Sequence, residues 1–151
     1  MTKRKGTLNV PCVYVVLRKK DKILFLLREY TGFMDGMYCL PSGHVEEGEN
    51  FITAAIRETK EEVGVTVARG KMRPIYTMHR QAASDIRIDL FFEADEWQGE
   101  PSNKEPHKHS GIAWFSLKDM VKQPIMDYQA TVLEAIIEGS IYSEWGWPEG
   151  K

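Results

Sequence analysis

Hydrophobic and polar positions sort the chain into alternating extended and helical blocks. Val10 to Leu17 is dense in β-branched and aromatic residues, and Lys22 to Leu27 repeats the pattern after a polar Lys20-Asp21 break, which together predict a hairpin. Tyr38 to Leu40 is a short apolar run. From Asn50 to Val63, Ile52, Ala55, Ile56, Thr59 and Val63 recur at helical spacing, which predicts an amphipathic helix with that stripe buried. Thr66 to Ala68 and Arg73 to Arg80 read as extended. Ile86, Ile88 and Leu90 alternate with Arg87 and Asp89, the pattern of a strand with one wet face. Gly99 to Ser110 is a polar loop holding Pro101 and Pro106. Ile112 to Ser116 predicts a last strand and Asp127 to Glu138 a second helix.

This order gives alternating strands and two helices, an α/β (α+β) class, with neither repeat nor low-complexity linker. The 151 residues, 42% hydrophobic and 28% charged, suit one domain with a sizeable core over 1–151. A net charge of −2 and a pI near 6.1 imply no general affinity for nucleic acid, and no nucleic acid polymer is expected as a partner. No apolar run is long enough to cross a membrane as a helix. The basic start, Thr2-Lys3-Arg4-Lys5, lacks the apolar stretch of a signal peptide, so a cytoplasmic location is expected. Cys12 and Cys39 then read as buried free thiols. Monomer and homodimer both remain open.

The chemistry concentrates between Gly43 and Val65, GHVEEGENFITAAIRETKEEVGV. Pro41-Ser42-Gly43 reads as a turn, Gly48-Glu49-Asn50 as a break before the helix, and Gly64 as its C-terminal glycine. Off the apolar stripe, Glu58, Glu61 and Glu62 stand at i, i+3 and i+4, so their carboxylates share a face. Like charges there repel by a few tenths of a kcal/mol per pair, roughly, in an isolated helix. A hard divalent cation turns the same spacing into a binding site, since Mg2+ takes oxygen ligands and leaves positions for phosphate and water. Arg57 is placed to pair with Glu49 and pin the loop to the helix.

Gly43, Glu49, Arg57, Glu58, Glu61, Glu62 and Gly64 stand in the register G-x5-E-x7-R-E-x2-E-E-x-G, which resembles the signature of the Nudix hydrolases, MutT-like members among them. The resemblance extends over about residues 8 to 140. It implies the family's mixed sheet sandwiched between helices, and Mg2+-dependent (or Mn2+-dependent) hydrolysis of a nucleoside diphosphate linked to a group X. Glu58, Glu61 and Glu62 match the metal-binding glutamates, one of which serves as general base in some readings. The Gly43 carbonyl matches a further ligand, and Glu49 and Arg57 match the structural ion pair. Thr59 departs from the usual aliphatic residue, and Ser42 from a common glycine.

The short chain favours a nucleoside triphosphate substrate, such as 8-oxo-dGTP, cut to monophosphate and pyrophosphate. A nucleoside diphosphate-sugar or a dinucleoside polyphosphate is the alternative. A non-catalytic nucleotide-binding regulator would be expected to lack box glutamates. Outside the box, Arg28, Tyr38, His79 and Arg87 are candidate substrate contacts. Glu105 is the candidate for the extra carboxylate that relatives often carry in the equivalent loop. His107-x-His109 has the spacing of a metal pair but lacks companions, and otherwise belongs to a solvent-facing loop. Trp145 and Trp147 could stack on a base or pack on the sheet edge. Phe33, Met34 and Met37 offer either a base pocket or core.

Overall fold

The computed structural model describes residues 6–150, so the basic Thr2-Lys3-Arg4-Lys5 start lies outside the described residues. Its strands are β1 (Asn9–Lys19), β2 (Lys22–Arg28), β3 (Tyr38–Cys39), β4 (Ser42–His44), β5 (Arg73–Gln81), β6 (Ile86–Ala94), β7 (His109–Ser116) and β8 (Tyr142–Trp145). The helices are α1 (Phe51–Val63), the short α2 (Leu117–Met120) and α3 (Asp127–Ile137).

β1 and β2 leave the Lys20-Asp21 turn as a hairpin but pair only through Arg18–Ile23 and Lys19–Lys22. Beyond that point the sheet splits. β1 runs parallel to β6 from Asn9 to Leu17, and its other edge receives β4 antiparallel, Cys12 opposite His44 and Tyr14 opposite Ser42. β2 pairs with β7 along its length and with β3 near Leu26 and Leu27. β6 then pairs β5, and β5 pairs β8. The expected Pro41-Ser42-Gly43 turn is therefore a strand graft onto β1, supported by the Val15 amide donating to the Pro41 carbonyl at 2.9 Å.

Successive strand residues face opposite sides of the sheet, and both sides are covered. Val13, Val15 and Leu17 pack with Ala54, Ala55 and Val63 of α1. Tyr14, Val16 and Phe91 pack with Val132 and Leu133 of α3. This overturns the wet face expected for β6. Asp89 is fully buried beneath α3, because Arg80 on the neighbouring strand pairs with it through Nε and Nη2. The Arg80 guanidinium also donates to Tyr14 Oη at 3.2 Å and lies 4.0 Å from the Tyr128 ring centroid. A buried charge pair of this kind is tolerable only with such extra partners.

α1 starts at Asn50, whose side chain accepts from the Thr53 amide, and stops at Gly64, which takes the left-handed conformation at φ 78°. Its buried residues include Ala54 and Glu62 beyond the predicted stripe. The Thr59 hydroxyl donates to the Ala55 carbonyl at 2.7 Å, so its departure from an aliphatic residue leaves no orphaned polar group.

Candidate active site

α1 and β4 meet at the segment Gly43–Val65, and the contact is unusually close. A Cβ on Gly43 would stand 2.0 Å from Glu58 Oε1 and 2.1 Å from its Cδ, so only glycine lets the Glu58 carboxylate rest on this strand. Arg57 lies at the centre of the carboxylates. Its Nε and Nη2 form a fork on Glu49 at 2.9 and 2.7 Å. Nη2 also reaches the His44 carbonyl at 3.0 Å, and Nη1 lies 2.8 Å from Glu58 and 3.3 Å from Glu61. One guanidinium thus ties the loop, the strand and the glutamate face together. The fork, with help from the Glu46 amide, holds the Glu49 carboxyl at about 2, below its ordinary 4.5.

Glu62 points inward and is 8% exposed. Burial, reinforced by the charges of Glu58 and Glu105, pushes its carboxyl well above the ordinary range, against one amide contact from Ser42 at 3.4 Å. Burial raises Glu58 as well, opposed by Arg57.

Glu105 joins this group because its loop is hung on the end of α1. The Ser102 amide donates to the Val63 carbonyl and the Lys104 amide to the Glu62 carbonyl, both at 3.0 Å, satisfying backbone oxygens that the helix end leaves free. Lys108 Nζ sits 3.1 Å from Glu105 Oε2, outside hydrogen-bond angles, so that buried oxygen has an ion-pair partner and no hydrogen bond.

Two cavities open on either side of this carboxylate group. One, of about 270 Å3, is walled by Tyr14, Phe33, Gly43, Arg87, Tyr128 and Gln129. The other, of about 500 Å3, is walled by Arg28, Ser42, Glu62, His107, Lys108 and His109. Arg28, Cys39 and Ser42 line both. Cys39 has no nucleophilic part in them, because burial pushes its thiol up to about 12, and Cys12 to about 11. Both cysteines are buried and neither is in a disulfide.

The structure brings Arg28, Arg87 and Glu105 to the box and leaves two candidates elsewhere. Tyr38 turns its ring edge-on to Phe115 at 4.9 Å. His79 faces the side of the sheet opposite Arg80, where it contacts Asn9 Oδ1 at 3.0 Å and the Trp147 ring at 4.7 Å. Trp147 donates to the His79 carbonyl, so it closes the sheet edge. The solvent-facing loop expected for His107-x-His109 also needs correcting. β7 begins at His109, opposite Arg28 across a register shift, so His109 is buried while His107 is exposed. Sequence reasoning passed over Lys108, whose signal was its spacing from Glu105 in a turn where the His109 amide returns to the Glu105 carbonyl. Among the described residues no three carboxylate or imidazole groups already converge on one point, since Glu58 and Glu61 are turned to Arg57.

The chain matches the model of the NUDIX domain over residues 8–136. It is 33% identical over 126 residues to the asymmetrical bis(5'-nucleosyl)-tetraphosphatase of Caenorhabditis elegans, covering 76% of this chain and 82% of that protein. It is 32% identical to Nudix hydrolase 6 of Arabidopsis thaliana and 30% to the NAD-capped RNA hydrolase NudC of Vibrio parahaemolyticus, over 72% and 87% of this chain. It spans only 39% and 46% of those two proteins. The MutT NUDIX hydrolase structure from Burkholderia pseudomallei superposes with a TM-score of 0.76 at 24% identity, over 84% of this chain and 97% of that one. The NUDIX domain of Shewanella oneidensis NrtR, solved with ADP ribose, superposes with 0.72 at 18%, over 92% and 93%. No helix among the described residues is long and apolar enough to cross a membrane.

Proposed function

The chain belongs to the Nudix family, and on that premise we propose that it hydrolyses a phosphoanhydride bond in a nucleoside diphosphate linked to a group X, using Mg2+. The observation that carries this reading is the carboxylate face of α1, where Glu62 is buried at 8% exposure with one amide contact, from Ser42 at 3.4 Å, and Glu58 rests on Gly43. Such crowding is costly for carboxylates alone and suits a divalent cation, whose charge offsets it. The oxygen-only donor set fits Mg2+, or Mn2+, better than softer metals.

Glu58, Glu61, Glu62 and the Gly43 carbonyl would hold the cation, with Glu105 close by. When bound, it supplies charge neutralisation for the phosphate oxygens and activates water. Arg57, forked on Glu49 and touching Glu58, fixes the loop to the glutamate face. A glutamate of this face that is not engaged on the cation would serve as the base that takes the proton from water. The cavity lined by Phe33, Tyr14 and Tyr128 together with Arg28, His44 and Arg87 is the candidate seat of the nucleoside.

A nucleoside triphosphate, 8-oxo-dGTP included, is the first substrate reading. A dinucleoside polyphosphate is the second, favoured by the likeness to the C. elegans tetraphosphatase, most of whose length the chain covers. The test is product analysis by chromatography and mass spectrometry, with and without Mg2+, over ordinary triphosphates, 8-oxo-dGTP, ADP-ribose, UDP-glucose and a dinucleoside tetraphosphate. Metal-dependent release of a nucleoside monophosphate from a triphosphate supports the reading. Cleavage confined to ADP-ribose or UDP-glucose overturns the substrate, and no turnover of any compound overturns the activity.

A further inference from the structure

Resting on the nucleoside seat named above, we propose that Tyr128 reads the base. Its hydroxyl donates to a carbonyl oxygen that stands where adenine and cytosine carry an amino group. The cavity therefore selects hypoxanthine, guanine or uracil over those two bases.

The selectivity follows from where the hydrogens must lie. Arg80, paired with the buried Asp89, donates through Nη2 to Tyr14 Oη at 3.2 Å. Gln129 Oε1 accepts from the Leu40 amide at 2.8 Å, which turns Nε2 of the same side chain toward Tyr128 Oη at 3.1 Å. Both donors are fixed in direction, because a guanidinium never accepts and the Leu40 amide sets the orientation of Gln129. The two hydroxyls stand 3.2 Å apart and share one further hydrogen bond. A hydroxyl has one hydrogen and two lone pairs. Whichever tyrosine donates to the other, one hydrogen is left over. It belongs to the hydroxyl whose lone pairs are both filled, so that group can only donate.

Arg80 decides which tyrosine this is. A cationic donor polarises the hydroxyl it meets, so the chain of bonds runs from Arg80 through Tyr14 to Tyr128. Tyr14 is 3% exposed, whereas Tyr128 is half-buried, and the Arg80 guanidinium lies 4.0 Å from the Tyr128 ring centroid and steadies it. Among the described residues Tyr128 Oη has no hydrogen-bond partner besides Tyr14 and Gln129, so its hydrogen is left for a guest. Tyr14, Tyr128 and Gln129 all line the cavity. Arg28 and Arg87 on the same wall carry donors only, and among the described residues no carboxylate stands there to receive an amino group. An amino group brought to the Tyr128 hydrogen meets it donor to donor and leaves both unpaired, a mismatch that a polar site rejects strongly.

The test compares kcat/KM at saturating Mg2+ within two pairs, inosine against adenosine triphosphate and uridine against cytidine triphosphate, in wild type and in Tyr128→Phe. Each pair exchanges a carbonyl for an amino group and leaves sugar and phosphates unchanged. Wild type should prefer the carbonyl member of each pair by about tenfold or more. The variant keeps the ring and its contact with Arg80, so it should melt near the wild-type temperature. Its ratios should fall to within about twofold of unity, through loss on the carbonyl members. A wild type without that preference, or a ratio that the variant leaves unchanged, overturns the proposal while the hydrolase reading stands. Where ADP-ribose, UDP-glucose or a dinucleoside tetraphosphate is cleaved and the triphosphates are not, the same comparison is made on that compound with its base exchanged. Should nothing be turned over, the hydrolase reading fails, and calorimetry with inosine and adenosine monophosphates still decides the cavity. About tenfold tighter binding of the inosine form, lost in Tyr128→Phe, supports the proposal, and equal or weaker binding overturns it.

Discussion

Gly43→Ala separates the geometry of the site from the stability of the fold. The added methyl would begin 2.0 Å from Glu58 Oε1, 2.1 Å from Cδ and 2.7 Å from Oε2, whereas ordinary contact starts near 3.4 Å. The carboxylate must therefore retreat by about 1.4 Å, the difference between 3.4 and 2.0 Å. The side chain is flexible, but its oxygen is held 2.8 Å from Arg57 Nη1, so the retreat breaks that bond. Losing one charge-assisted hydrogen bond costs about 1.5–3 kcal/mol at most, less here because Arg57 keeps its fork on Glu49. Activity should suffer far more, since a displacement of about 1 Å in a reacting constellation costs on the order of a hundredfold in rate. Urea unfolding and kcat on the best substrate, measured on one preparation, decide it. A variant with near-wild-type kcat would refute the reasoning, as would loss of activity explained wholly by unfolding.

Removing one member of the Arg80–Asp89 pair should be severe. Asp89→Ala leaves a buried guanidinium uncompensated and should cost about 3–5 kcal/mol in urea unfolding, with Arg80→Met/Asp89→Ala recovering much of it. Glu49 sets an acid limit. Its folded carboxyl sits at about 2 against 4.5 unfolded, so its contribution is full above pH 4.5 and lost as pH falls toward 2. Melting temperatures across that window should decline more steeply in wild type than in Glu49→Gln. Gly64→Ala forces a side chain into φ 78° and within 2.6 Å of Lys104 Cε, and should lower stability by about 1 kcal/mol, read by thermal melting.

The helix α1 was legible because every local signal agreed: the apolar stripe, the Asn50 cap, and Gly64 where a left-handed residue is needed. The spacing of Glu58, Glu61 and Glu62 on it was legible for the same reason. What escaped depended on partners distant in sequence. Ser42 to His44 is a strand only because β1 offers an edge some thirty residues earlier. Alternation in β6 revealed two faces but not that α3 covers the polar one, nor that Arg80 waits beside Asp89. His109 read as loop because the pairing that starts β7 there belongs to Arg28. Glu105 reaches Glu62 through backbone bonds to the end of α1, which residue types alone do not announce. The aromatic residues divided likewise: Phe33 borders a cavity, while Tyr38 and Trp147 pack against the fold.

The most direct test is the turnover of Glu62→Gln against wild type on the best substrate at saturating Mg2+, with thermal melting on the same samples. The amide keeps the shape of the buried side chain and relieves its repulsion with Glu58 and Glu105, so the variant should melt at or above the wild-type temperature. Its kcat should fall by about a thousandfold or more, from loss of a cation ligand or of the base. A folded variant whose kcat stays within about tenfold of wild type would contradict the account, because a single general acid–base residue alone contributes about a hundredfold or more.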